Sequence, residues 1–162
     1  MKLGDGVEQA IHCVAMLAGL PPDGLLAASA LAEFHGVSPS YLLKHLQSLS
    51  SAGILTSVPG PHGGYRLARS PDKITLLEIV TAVEGPEPAF RCQEIRQRGP
   101  NPIPGKPVRP CEINAAMQRA EQAYRKELAK VTIAALGEQV ATHDPQGRIA
   151  ARCAAFFDAR MR

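Results

Sequence analysis

The stretch VSPSYLLKHLQSLSSAGILTSVPGPHGGYRL, residues 37–67, decides the fold of this chain. Ser38 is a typical helix N-cap, and Pro39 suits the first helical position because the first turn leaves its N–H groups unpaired. The leucines that follow recur at helical spacing. They predict a helix with one buried stripe made of Leu42, Leu43, Leu46 and Leu49.

A hairpin follows this helix directly. Gly53 ends the helix, because glycine readily adopts the left-handed backbone of a helix end. Two short strands are predicted at 54–58 and 65–68, and the tip between them is rich in glycine and proline. With a shorter helix at 29–35 before it, this order predicts a winged helix-turn-helix.

The outward face of the predicted helix carries hydroxyl, amide and cationic groups and no carboxylate. Hydroxyls and free N–H groups at a helix start bind phosphate, and long polar side chains reach base edges in the major groove. A plain surface helix would normally include Glu or Asp, so we predict contact with double-stranded DNA. The predicted contacts are Ser38, Ser40, Tyr41, Lys44, His45 and Gln47 on the helix, with His62 and Arg66 on the wing.

The composition is compatible with this interpretation. The 162 residues are 45% hydrophobic with a net charge of +3, which suits one domain with an appendage and positive charge on one face. A low aromatic content of 4% argues against stacking platforms for single-stranded nucleic acid. The sequence has no long apolar run and no signal peptide, so we expect a soluble, cytoplasmic protein without a membrane partner.

The rest of the chain adds helices and one irregular segment. A first helix is expected over 5–20, and a capping box of Thr75 and Glu78 opens another helix. A long helix after Cys111 is expected to pair with its copy in a second chain, because one DNA-binding module needs only a local core. The fold class is therefore mainly α with a small β-hairpin. The expected parts are a DNA-binding domain 1–85, a loop 86–111, a dimerisation helix with a short following helix 112–141, and a C-terminal tail 142–162.

The loop 86–111 contains seven prolines, which exclude a long helix or a central strand. Cys92 lies near its start and Cys111 at its end. Loops of this length are usually functional or disordered, and a plain linker would need neither thiol. Four cysteines in a cytosolic chain indicate metal or redox chemistry more than a disulfide scaffold.

The chain resembles the Rrf-two family of bacterial winged-helix regulators, most clearly in SPSYL at 38–42, GGYRLAR at 63–69 and ITLLEIVTAVEG at 74–85. The resemblance implies a homodimeric transcription factor, often one that senses iron–sulfur status, nitric oxide or redox state through a cluster. It also implies DNA contacts by the helix that starts at Ser38 and by His62 at the wing tip.

The loop departs from the usual cluster-binding members, which carry three closely spaced cysteines there. The segments MKLGDGVEQAIHC and FRCQEIRQRGP instead resemble the RsrR-like branch, in which a Glu, a His and two Cys hold a [2Fe–2S] cluster. This resemblance implies that the loop binds a cofactor, with the first-helix pair from one subunit and the loop thiols from the other. The implied ligands are Glu8, His12, Cys92 and Cys111.

Several alternatives remain open at this point. Glu and His four residues apart on a helix often form a simple surface pair. The same four donors suit tetrahedral Zn²⁺, and the loop thiols alone could form a reversible disulfide switch. Cys13 and Cys153 are expected to be packing residues, with Cys13 a substitute ligand if Cys92 is not one. No nucleophile motif or phosphate loop is present, so we do not expect an enzyme.

Overall fold

A computed structural model describes residues 3–162 of the chain. In that range the predicted class, mainly α with a small β-hairpin, is confirmed. The hairpin is a two-stranded antiparallel sheet, in which Leu55 pairs with Leu67 and Val58 with Gly64. The elements are α1 Asp5–Leu17, α2 Ala28–His35, α3 Pro39–Ser51, β1 Leu55–Val58, β2 Gly64–Leu67, α4 Leu76–Glu84, α5 Glu112–Lys130, α6 Ile133–His143 and α7 Arg148–Arg160.

The core lies where α1, α2, α3 and α4 meet beneath the hairpin. Aliphatic side chains fill it because each of these helices presents one apolar stripe. Leu26 joins the sheet through a backbone pair with Tyr65, whose N–H donates to the Leu26 carbonyl at 2.8 Å. The fully buried side chains include Leu26, Leu31, Leu42, Leu46, Leu49, Ile54, Ile74 and Ile79.

The first helix was predicted over 5–20 and is shorter, because it ends at Leu17. The predicted starts of α3 and α4 and the end of α3 are found where the sequence signals place them. Thr75 and Glu78 form the full capping box: the Glu78 N–H donates to Thr75 Oγ1 at 3.3 Å, and the Thr75 N–H donates to Glu78 Oε2 at 2.9 Å. Ser38 is the N-cap of α3, but its hydroxyl lies 3.1 Å from the Ser40 hydroxyl and makes no cap hydrogen bond. Gly53 has a φ of 69° just after α3, in the left-handed region that favours glycine.

Helix α5 is 19 residues long and has no buried residue. The C-terminal half of α5 is attached to the segment that follows α4. There the Arg125 guanidinium donates to the carbonyls of Pro86 and Glu87 at 2.9 and 3.3 Å. Apolar side chains on its other face stay open to solvent, with Ile113 65% and Met117 42% exposed. This helix therefore has an apolar face that the single chain leaves uncovered.

The last part of the chain is more firmly packed than the sequence suggests. Most of the expected C-terminal tail 142–162 is the helix α7, and its Phe157 is buried in the core at 7% exposure. Asp144 is also buried, and its carboxylate accepts a hydrogen bond from the Ile149 N–H at 2.6 Å. This contact holds the start of α7 against the end of α6.

The loop 86–111 has no regular element beyond one 3-10 turn at Ile95–Gln97. Across residues 3–162, none of the helices is both long and apolar enough to cross a membrane.

Candidate nucleic-acid interface and candidate sensor residues

The outward face of α3 has the composition that the sequence predicts. Ser38 and Ser40 stand at its start, so their hydroxyls lie beside the free N–H groups of the first turn. The exposed side chains extend along the next two turns without a carboxylate among them. From the predicted set, those exposed are Ser38, Ser40, Tyr41, Lys44 and Gln47.

The prediction that His45 faces outward is wrong. Its side chain is only 7% exposed and packs against Gly6 of α1, where an added Cβ would come within 2.4 Å of the imidazole ring. Leu43 was predicted to be buried and is instead 38% exposed. The buried stripe therefore runs through positions 42, 45, 46 and 49, because the glycine on α1 leaves room for an imidazole at that point of the interface.

Burial of the His45 imidazole favours its neutral form. Burial lowers the pKa of His45 below its ordinary value of 6.5, and Lys44 lowers it further, while Glu84 opposes them. Its Nε2 has no hydrogen-bond partner within the described residues. A charged imidazole here would be costly, because buried charge loses its hydration.

The wing carries two of the predicted DNA contacts, one of which is exposed and one of which pairs with a carboxylate. His62 is exposed at the tip, whereas the Arg66 guanidinium donates to the Asp23 carboxylate at 3.2 Å. The tip glycines serve packing: an added Cβ at Gly63 would come 2.0 Å from the Val58 carbonyl oxygen, and one at Gly64 would come 2.6 Å from that of Leu26. The tight hairpin therefore requires these glycines whether or not DNA is bound.

Glu8 and His12 lie one turn apart on the exposed side of α1. Both line a largely apolar groove of about 900 Å³ between α1, α2, α6 and α7. His35 lies in the same groove, with its ring 5.8 Å from that of His12. Burial lowers the pKa of His35, and His12 and Arg152 nearby lower it further. The sequence analysis missed this neighbour, because α2 and α1 meet only in the folded chain.

Arg96 connects the segment beside Cys92 with the segment beside Cys111. Its guanidinium donates to both Glu94 carboxylate oxygens at 2.5 and 2.9 Å, and to the Arg109 carbonyl at 3.3 Å. The same group lies 3.7 Å from the Glu112 carboxylate, next to Cys111. On the other side, the Glu94 N–H donates to the Cys92 sulfur at 3.4 Å. Arg96 therefore connects the start of the loop with its end.

The remaining cysteines behave as packing residues. Cys13 is fully buried, and burial raises the pKa of its thiol to about 12, so it stays protonated and unreactive. Cys153 of α7 is half-buried and lines the groove that holds Glu8 and His12. Burial raises the pKa of the Cys153 thiol as well.

The four candidate ligands form two pairs that do not meet within one chain. Among residues 3–162, no three His, Cys, Asp or Glu side chains converge closely enough to hold a metal ion. One pair, Glu8 and His12, opens onto the groove, and the other, Cys92 and Cys111, belongs to the loop. A carboxylate, an imidazole and two thiolates suit an iron–sulfur cluster as a donor set, provided that two chains bring the pairs together.

Comparison with known proteins identifies the group to which the chain belongs. The family described as "Rrf2: Iron-dependent Transcriptional regulator" matches residues 3–139. YffB of Lactococcus lactis, named as an HTH-type transcriptional regulator, is 34% identical over 139 residues, 86% of this chain and 88% of that protein. YwgB of Bacillus subtilis, named in the same way, is 40% identical over 85 residues, 52% of this chain and 54% of that protein.

Solved structures show the same fold. CymR, the global cysteine regulator of B. subtilis, superposes with a TM-score of 0.65 at 23% identity, covering 86% of this chain and 98% of that one. IscR of T. potens superposes with a TM-score of 0.64 at 21% identity, covering 86% and 88%. At these identities the likeness is one of fold alone.

The family and these relatives are transcriptional regulators, which confirms the prediction that the chain is not an enzyme. The match over residues 3–139, with a relative 34% identical across most of its own length, shows that this chain belongs to the Rrf2 family of DNA-binding transcriptional regulators.

Proposed function

We propose that the chain is a cytoplasmic, homodimeric regulator that binds promoter DNA and senses redox state through a [2Fe–2S] cluster. The single observation that carries this proposal is the division of four suitable donors into two separate pairs, neither of which is a site alone. The proposed ligands are Glu8 and His12 of one subunit with Cys92 and Cys111 of the other.

DNA binding is proposed to use the exposed face of α3 and the wing. Ser38 and Ser40 offer hydroxyls to a phosphate at the helix start, while Lys44 and Gln47 extend toward the major groove. His62 at the wing tip adds a contact outside that groove. Two copies related by a two-fold axis would present two α3 helices about 34 Å apart, one turn of DNA.

The proposed dimer is supported by the uncovered face of α5. Ile113 and Met117 are exposed there, and none of the 19 residues of the helix is buried. Burying such side chains against a copy of the same helix removes apolar surface from water. It would also bring the loop of one subunit, which leads into α5, close to the other subunit.

The proposed sensor residues have distinct roles. A bound cluster supplies one-electron chemistry, and a histidine ligand raises its potential relative to an all-cysteine site. The chain itself supplies the thiolates of Cys92 and Cys111, on segments that Arg96 connects, and the donors of Glu8 and His12 at the edge of an apolar groove.

A second candidate is a cluster-free regulator in which the loop thiols form a reversible disulfide. Two observations favour it: neither Cys92 nor Cys111 is in a disulfide, and Arg96 connects the two ends of the loop. Zinc held by the same four donors is a third possibility with the same ligand set.

Anaerobic purification followed by absorption spectroscopy with iron and sulfide analysis separates these candidates. We expect visible charge-transfer bands and about two irons and two sulfides per site. His12→Ala and Cys111→Ala should each remove or shift the bands, whereas Cys153→Ser should leave them unchanged. Colourless, iron-free protein that forms a disulfide on oxidation would support the thiol switch. Colourless protein containing stoichiometric zinc would support the third candidate.

A further inference from the structure

Residues 148–162, called the strap here, lie across α2 and reach the wing. The Arg160 guanidinium forms a two-pronged ion pair with the Glu33 carboxylate, at 3.1 and 2.9 Å. Phe156 packs edge-on against Phe34, with ring centroids 5.0 Å apart. These contacts, with Phe157 in the core, hold the strap against the DNA-binding domain.

The end of the strap joins the row of backbone pairs at the edge of the hairpin. The Arg162 N–H donates to the Leu25 carbonyl at 2.9 Å, and the Leu25 N–H donates back at 3.0 Å. The next residue, Leu26, makes the same reciprocal pair with Tyr65 of β2. The strap is therefore tied by main-chain hydrogen bonds to the segment that borders the wing.

The Arg162 side chain then reaches the wing tip itself. Its Nη1 donates to the Pro61 carbonyl at 2.9 Å and to the Gly63 carbonyl at 3.2 Å. These carbonyls stand on either side of His62, the exposed residue at the tip. The tip also has a backbone hydrogen bond of its own, which the Gly63 N–H donates to the Gly60 carbonyl at 2.9 Å. Arg162 thus bridges the two sides of a tip that has few bonds of its own.

We propose that Arg162 is a positioning residue for DNA binding, because it fixes the wing tip in the conformation that meets DNA. Ordering the tip before binding lowers the entropy lost when the complex forms. The match to the family ends at residue 139, so the strap lies outside the matched region. The inference rests on the proposed contact between the wing and DNA.

The test compares Arg162→Ala, Arg162→Lys and a matched control, Arg148→Ala. Arg148 belongs to the same strap but lies at the opposite end of α7, where it pairs with Asp144, so its loss removes the same charge without touching the tip. The probe is a double-stranded operator selected in vitro with the parent protein. Affinity is measured over a salt series, and hydroxyl-radical footprints are recorded on the same duplex.

We expect Arg162→Ala to bind roughly fivefold more weakly with an unchanged salt slope, because it loses order and no phosphate contact. Its footprint should weaken under the wing and persist under α3. Arg162→Lys should recover most of the affinity, since an ammonium group can donate to both carbonyls. Arg148→Ala should bind like the parent protein.

Four results would overturn the inference. If Arg162→Ala bound DNA with the same affinity as Arg148→Ala, the wing tip would not need the hydrogen bonds from Arg162. A salt slope reduced by about one would mean that Arg162 contacts a phosphate directly. The parent footprint could lack protection under the wing, and His62→Ala could bind DNA as tightly as the parent protein. Together these two results would remove the proposed contact between the wing and DNA, and the inference with it. Wing protection that persists in Arg162→Ala would contradict the inference alone.

Discussion

The imidazole of His45 lies against the backbone of Gly6, at a distance that leaves no room for a methyl group between them. This contact sets how closely the DNA-facing helix α3 approaches α1. The same helix α1 carries Glu8, half a turn beyond Gly6, and His12, one turn further on. The packing of α3 and the placement of the proposed sensor donors therefore share one helix.

Gly6→Ala should destabilise the protein. The new methyl group would come within 2.4 Å of the His45 ring, and overpacking of this kind costs about 1–3 kcal/mol in unfolding free energy. Urea unfolding followed by circular dichroism measures the change. The matched control is Gly137→Ala in α6, where an added Cβ meets nothing within 4 Å. It should be neutral or stabilise by up to about 1 kcal/mol, and equal effects of the two substitutions would contradict the prediction.

Stability should fall as the pH drops below the ordinary histidine pKa of 6.5. Burial lowers the pKa of His45 in the folded chain, so the unfolded chain binds more protons between the folded and unfolded values. The contribution of His45 to the unfolding free energy is therefore largest above pH 6.5. It decreases as the pH falls toward the pKa of His45 in the folded chain, and it is constant below that pKa. Urea titrations across this range measure the profile.

The matching variant is His45→Gln, which keeps a polar side chain but cannot titrate. Its profile should be shallower than that of the parent protein. A residual slope is expected from His35, because burial lowers its pKa in the same direction. An identical profile for parent and variant would show that His45 contributes nothing to the pH dependence.

Lys44→Ala should weaken binding to all DNA sequences by a similar factor and lower the salt slope by about one, as loss of one phosphate contact does. Fluorescence anisotropy over a salt series measures both quantities. Arg148→Ala removes a positive charge that pairs with Asp144 and belongs to neither α3 nor the wing, so it should leave the slope unchanged. An unchanged slope for Lys44→Ala would assign this lysine to a role other than phosphate contact.

Arg96→Ala should reduce the iron content of the anaerobically purified protein, because the guanidinium that connects the two ends of the loop is lost. The visible absorption per protein measures the effect. Arg98→Ala is the control: the Arg98 guanidinium donates to Gln93 at 2.9 Å, a contact that stays at the start of the loop. Equal spectra for the parent and Arg96→Ala would mean that the loop presents its thiols without this bridge.

Ile113→Glu should dissociate the proposed dimer, because it places a charge on the uncovered apolar face of α5. Sedimentation velocity should show a shift from dimer to monomer at micromolar concentration. Ser57→Glu, at an exposed position of β1 away from α5 and the loop, introduces the same charge and should leave the dimer intact. A dimer that persists in Ile113→Glu would place the interface elsewhere.

Local signals in the sequence were sufficient for most helix ends, since a capping box or a helix-ending glycine acts within a few residues. They could not distinguish Leu43 from His45 as the buried member of α3. Both positions fit a helical stripe that includes Leu42 and Leu46, and the choice depends on Gly6, which is distant in sequence. The contact of Arg162 with Pro61 spans 101 residues, so no local pattern announces it.

Helix α7 is a rigid rod of 13 residues, about 20 Å long at 1.5 Å per residue. In its first half, Cys153 forms part of the wall beside Glu8 and His12, and two residues past its end Arg162 contacts the hairpin. A tilt of this helix would move both contacts together. The surroundings of the proposed cluster would thus be joined through one rigid element to the wing that we propose to contact DNA.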